Sequence, residues 1–114
     1  MSGQKGRVLV LGAEGVGGGD ETLGYEILMS MLKTLPERQD KPMAIICWNT
    51  AVNLLAEGSP LIPHFKRLEE QGVDVLAGTL CVQELGLMEK MAAGKLASMD
   101  DILDLMLNND VVNL

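Results

Sequence analysis

Three short apolar runs constrain this chain more than any other feature. Residues 7–11 (RVLVL), 43–48 (MAIICW) and 73–77 (VDVLA) are almost unbroken in aliphatic side chains. They lack the polar–apolar alternation of a strand that faces water on one side. Runs of this kind mark strands buried on both faces, which belong to parallel sheets because the crossover helices lie on the sheet's faces. The intervening segments have helical spacing instead. Leu23, Ile27, Leu28, Met31, Leu32 and Leu35 recur at that spacing over 21–35, and Ile62, Phe65 and Leu68 do so over 59–71.

Local signals bound these elements. Asp20 is placed to cap the first helix, with Glu21 against its positive end, and Pro36 with the polar run ERQDK stops it. Asn49-Thr50 is the exit turn of the second strand, and 51–56 reads as a short helical turn closed by Gly58. Ser59 caps the second long helix with Pro60 at its first position, and Gly72 ends it. Beyond the third run, 82–93 reads as a helical stretch with a possible break near Gly86, and with Gly94 just past its end. Residues 95–97 read as a small fourth strand. Ser98 and Asp101 approximate a capping box for a helix carrying Met99, Ile102, Leu103 and Met106 on one face, and VVN at 111–113 is a last edge strand. Strands alternating with helices in this way predict a three-layer α/β/α domain spanning 1–114, around a mainly parallel sheet of four to five strands.

Composition narrows the partners. A chain of 114 residues forms one core, and with 47% hydrophobic but only 3% aromatic residues that core is aliphatic. The net charge is −7, and nine Lys and Arg residues are scattered without a basic stripe, so a nucleic-acid surface is not expected. No apolar stretch approaches the roughly 20 residues of a membrane helix, and the run at 8–11 is too short for the h-region of a secretory signal. Cys47 and Cys81 lie in different elements without metal-ligand spacing. Free thiols in a reducing, cytoplasmic setting are the simplest expectation, with no metal and no cofactor.

Two features carry candidate chemistry. Six glycines fall between Gly12 and Gly24, inviting comparison with nucleotide loops. Counted as a P-loop from Gly12, the register puts Gly18 where lysine is needed; counted as a dinucleotide fingerprint from Gly15, it puts Asp20 where glycine is needed. Glu14, Asp20 and Glu21 also repel phosphate. The expectation is a mobile, lid-like loop that binds no nucleotide and contributes to a pocket at Cys81. Cys81 itself follows the third strand and opens a helix, at the carboxyl edge where an open α/β sheet places its ligands. Backbone N–H groups at such a turn stabilise the thiolate, the reactive form of sulfur. Cys47 lies mid-strand and reads as a small core hydrophobe. His64, the only histidine, sits early in the second long helix and reads as solvated. A Cys–His hydrolase would also need a third orienting group, and none is evident. By position, Gly17, Gly18, Gly19, Asp20, Asn49 and Thr79 share the sheet edge with Cys81 and are the candidate pocket residues.

The segments GGGDETLGYEILMSMLKTL, NTAVNLLAEGSPLIPHFKRLEEQGVDVLAGTLC and GLMEKMAAGKLASMDDILDLM resemble the DsrE-like sulfur-relay family, closest to the C-terminal domains of YedF-type selenium-metabolism proteins. The likeness runs from about Arg7 to Leu114. It implies a three-layer fold, homo-oligomers, protein donors and acceptors of sulfur, and a persulfide carried on the cysteine that stands here as Cys81. The YedF-type pattern has two cysteines in this turn, three residues apart, and this chain has Gly78 in place of the first. It also implies a small sulfur-carrier domain ahead of Arg7, which nothing in these 114 residues supplies. The rival expectation is a non-catalytic, oligomeric binding or scaffold protein of the same fold, in which Cys81 only packs.

Overall fold

A computed structural model describes residues 6–114; the basic start of the chain lies outside the described residues. Five strands form one parallel sheet in the order β4-β3-β2-β1-β5, with β1 at Arg7–Leu11, β2 at Ala44–Cys47, β3 at Asp74–Gly78, β4 at Lys95–Ala97 and β5 at Asp110–Asn113. The helices are α1 (Glu21–Thr34), α2 (Ile62–Glu70), α3 (Thr79–Glu84) and α4 (Met99–Asn108), with 3-10 segments at Leu35–Glu37 and Asn49–Leu55. The expected α/β architecture is the observed one.

Two-sided burial explains the apolar runs. Leu9, Leu11, Ile45, Cys47, Val75 and Ala77 point to one face, where Leu28 and Leu32 of α1, Phe65 and Leu68 of α2, Val82 of α3 and Leu55 of the second 3-10 segment cover them. Val8, Val10, Ala44 and Ile46 point to the other, which α4 covers with Ile102, Leu105 and Met106. Burying each large aliphatic or Phe side chain contributes about 1.5–3 kcal/mol before the entropy of ordering is set against it. No polar or charged side chain is buried among the described residues.

The division of helices between faces follows from connection handedness. Steps from β1 to β2, β3 and β4 all move one way across the sheet, so right-handed connections keep α1, α2 and α3 on one face. The step from β4 back to β5 moves the other way and puts α4 on the opposite face. Adjacent strands β3 and β4 therefore send their chains to opposite faces, whereas the chains leaving β2 and β3 stay on the same face.

Element ends obey local chemistry, with three corrections. Asp20 accepts the Leu23 N–H at 2.7 Å, and Ser98 with Asp101 forms a complete capping box. Gly72 closes α2, its N–H donating to Glu69 O while Val73 N–H donates to Leu68 O. The helical stretch expected over 82–93 stops at Glu84, beside the possible break at Gly86, and does not resume. Gly86 adopts φ 69°, the N–H groups of Gly86 and Leu87 donate to Gln83 O and Val82 O, and this glycine-dependent cap turns the chain away. The following stretch is tied to the 3-10 segment, with Ala92 and Ala93 N–H donating to Leu55 O, so Gly94 ends no helix. α2 begins at Ile62, and Ser59 Oγ accepts from Leu61 N–H in the preceding turn. On α4, Ile102 is buried, but Met99 and Leu103 of the expected inward face are exposed because α4 rests on the sheet through Leu105 as well.

Glycine has two distinct uses in the loop after β1. A β-carbon on Gly24 would stand 2.9 Å from Val16 O, because Val16 N–H donates to Gly24 O and clamps the loop against α1. A β-carbon on Gly18 would meet nothing within 4 Å. Gly24→Ala should therefore destabilise the fold by about 1–3 kcal/mol through overpacking, whereas Gly18→Ala should stay within about 0.5 kcal/mol. Urea unfolding of both variants checks the contrast, and equal effects would refute the clamp.

Candidate functional site

Gly78 and Ala97 are register partners at the last rung of β3 and β4, at the carboxyl edge of the sheet. Thr79 ties the two strand ends together, its Oγ1 donating to Ala97 O at 3.1 Å. The chain then enters α3, and Cys81 falls in the first turn with its side chain half-buried. The next strand contributes the second component. Trp48 N–H donates to Leu11 O, continuing the ladder one residue past β2, and the backbone then turns sharply at Asn49 with φ 53°. That left-handed conformation costs an ordinary residue about 1 kcal/mol or more, and asparagine is among the few side chains that tolerate it. The turn delivers the Asn49 N–H to Cys81 Sγ at 3.0 Å.

Cys81 Sγ thus receives a fixed backbone donor from a different element, at the lip of a cavity of about 370 Å³ lined by Trp48, Asn49, Leu80, Cys81, Glu84 and Leu85. Gly78 leaves one flank of the sulfur free: a β-carbon there would lie 3.5 Å from Sγ and 3.6 Å from Trp48 Cβ. Donated N–H groups stabilise negative charge on a bound or bonded sulfur. The arrangement is chemically suited to a nucleophilic thiol that must be approached from outside.

The remaining candidate residues divide. Asn49 lines the Cys81 cavity, and its contribution is its main chain. Thr79 lies behind the cavity as a tie between strand ends. Gly17, Gly19 and Asp20 line a separate cavity of about 600 Å³ with Glu14, Thr22 and Tyr25, between the glycine loop and the start of α1. Gly18 lines neither cavity. The two cavities share no lining residue, and the loop does not border the Cys81 cavity as expected, because Val16 anchors it to Gly24 on α1. His64 lies on α2 and is not among the residues around Cys81. Sequence reasoning missed Trp48 as a cavity wall and Glu84 and Leu85 beside the thiol. The spacing of Cys81, Glu84 and Leu85 within one short helix was the available signal.

The fold and this edge define an α/β/α domain with one approachable cysteine at the carboxyl edge of a parallel sheet. Among solved structures, the chain is similar to the ychN protein from E. coli, with a TM-score of 0.72 and 15% identity over 97% of this chain and 100% of that one. It is also similar to a protein of unknown function, MTH1491, from Methanobacterium thermoautotrophicum, with a TM-score of 0.67 and 14% identity over 95% of this chain and 97% of that one. A third, the conserved protein of unknown function BT1422 from Bacteroides thetaiotaomicron, gives a TM-score of 0.65 and 15% identity over 95% of this chain and 94% of that one. At such identities the shared property is the fold. No protein-family model matches the chain, and no curated protein matches it in sequence.

Cys47 provides the internal contrast. It is fully enclosed in the sheet, and burial pushes its thiol from the ordinary 9.0 up to about 12. Below pH 9 this thiol is neutral in folded and unfolded chains alike. Above pH 9 only the unfolded chain ionises, so stability falls as pH rises, by up to about 1.4 kcal/mol per pH unit from this group, until the folded thiol ionises near 12. Urea unfolding between pH 8 and 10.5 should show a steeper loss for the wild type than for Cys47→Ala. Parallel curves would refute the assignment.

Proposed function

We propose that the chain is a DsrE-like sulfur-relay protein in which Cys81 carries sulfane sulfur as a persulfide. The observation that carries the proposal is the Asn49 N–H aimed at Cys81 Sγ over 3.0 Å at the mouth of an open cavity. The resemblance of the cysteine turn and of the segments around it to that family supports the same reading. In the loading step the Cys81 thiolate attacks the outer sulfur of a donor persulfide, the donor's S–S bond breaks, and the donor leaves as a thiolate. Cys81 then bears –S–SH. In the second step an acceptor thiolate attacks that outer sulfur and Cys81 leaves as a thiolate. Each step is an exchange at sulfur without net oxidation, and needs a nucleophile, a charge-stabilising donor and access. With Gly78 where YedF-type proteins have a first cysteine, no neighbouring thiol competes for the bound sulfur, and Cys81 works as a single carrier.

Exposure to a persulfide donor should add one sulfur atom at Cys81, read by intact mass and peptide mapping. Cys81→Ser should abolish the adduct and Cys47→Ser should retain it. Asn49→Gly keeps both the N–H and the left-handed turn and should load at the wild-type rate. Asn49→Val resists that turn and should load about tenfold more slowly, the worth of one hydrogen bond to a charged acceptor. Equal loading by both Asn49 variants would falsify the role given to the Asn49 N–H.

Self-association belongs to the same proposal, because α4 is too apolar for a helix with one buried face. Ile102, Leu105 and Met106 meet the sheet, while Met99, Leu103 and Leu107, four residues apart, form a second stripe in solvent, with Leu107 78% exposed. A second copy laid on that stripe removes it from water. Light scattering should give a multiple of the 12.3 kDa chain mass, and Leu103→Glu with Leu107→Glu should yield the monomer. A monomer mass for the unmodified protein at all concentrations would refute this.

A further inference from the structure

Glu84 follows Cys81 by three residues on α3, so the two side chains share a helix face, and both line the same cavity. Its carboxylate has no cationic neighbour there. The other lining residues are Trp48, Asn49, Leu80, Cys81 and Leu85, and neither ion pair among the described residues includes Glu84. The approach is otherwise apolar: Leu80 and Leu85 line the cavity and are both exposed, Leu80 by 62%. An apolar rim around a reactive thiol marks a surface that something covers. The charge pattern decides what does. A small thiol bearing carboxylates finds no cation to receive them and one carboxylate to repel them. A polypeptide segment with aliphatic side chains covers the leucines, and a lysine or arginine beside its sulfur answers Glu84.

We infer that the sulfur donor or acceptor docking at this cavity is a protein cysteine flanked by aliphatic residues and a basic residue, and that Glu84 is the specificity-determining side chain that selects it over small anionic thiols. The inference rests on the relay reading and names the partner class of the same site. The exchange is unchanged: the outer sulfur moves from the peptide persulfide to Cys81, the peptide's S–S bond breaks, and the peptide cysteine departs as a thiolate. A salt-screened interaction between unit charges near a wet surface is worth a small factor, roughly three- to fivefold in rate.

The test uses three donors: a short peptide persulfide with leucine and lysine beside the cysteine, the same peptide with aspartate in place of lysine, and glutathione persulfide. Initial loading of Cys81 is followed by mass spectrometry at low and high salt. The lysine peptide should lead the aspartate peptide by roughly three- to fivefold at low salt, with glutathione persulfide slower still, and high salt should shrink the gap. Glu84→Gln should nearly abolish the discrimination and Glu84→Lys should invert it. Alkylation supplies a readout free of sulfur transfer: the rate ratio of iodoacetate to iodoacetamide at Cys81 should rise in Glu84→Gln. Taking the ratio cancels any change in thiolate fraction. Equal loading by all donors, with an alkylation ratio that Glu84→Gln leaves unchanged, overturns the partner inference and leaves the relay reading standing. Failure of every donor to load Cys81 while alkylation still proceeds overturns the relay reading, and the partner inference falls with it.

Discussion

Handedness of the strand connections is the constraint on which the rest of this structure depends. A chain that steps outward from β1 to β4 in a parallel sheet must keep its right-handed crossovers on one face, and one that then returns to the far side of β1 must cross on the other. The return leaves α4 as the sole helix on the second face among the described residues, with part of its apolar surface unused. The same outward steps set the end of β2 beside the end of β3, so the cavity at Cys81 is lined by the residues that follow those two strands. The candidate site and the apolar face of α4 both follow from the strand order.

Within that frame, two cysteines of the same chain have opposite fates for reasons of position alone. Cys47 is the last residue of a central strand, enclosed between its neighbours and the helices, where the thiol is a space-filling group that burial holds protonated. Cys81 lies one turn past the neighbouring strand, where the sheet has ended but a backbone donor still reaches it from Asn49. The left-handed turn that supplies this donor is tolerated because the residue is asparagine and because Trp48, anchored to Leu11 O, fixes where the turn begins.

The glycine loop shows how one composition hides several functions. Gly24 is required by close backbone packing, Gly17 and Gly19 by positive φ, and Gly18 by neither. A run of glycines reads as one mobile unit in sequence, yet the structure divides it into a clamp at Val16–Gly24 and an open arm bordering its own cavity. Glu14, Asp20 and Glu21, whose charges repel phosphate, line that cavity and not the one at Cys81.

What the sequence by itself determined are the properties governed by short-range physics. The aliphatic runs specify strands buried on two faces, Asp20 and the Ser98–Asp101 pair specify helix starts, and Gly72 specifies a helix end, because each acts on backbone groups within about four residues. The cysteine's place at a strand-to-helix turn was legible on the same grounds. A break near Gly86 was legible in the same way, but only the tertiary structure decided that the chain does not resume a helix beyond it, because Leu55 O accepts from the Ala92 and Ala93 N–H groups. It also decided that Asn49 serves through its main chain, that the glycine loop stands apart from Cys81, and that Glu84 is the charge beside the thiol. These depend on strand order, which brings residues 48–49 next to residues 78–85, and strand order is set by the global crossover path and by no local pattern of side chains.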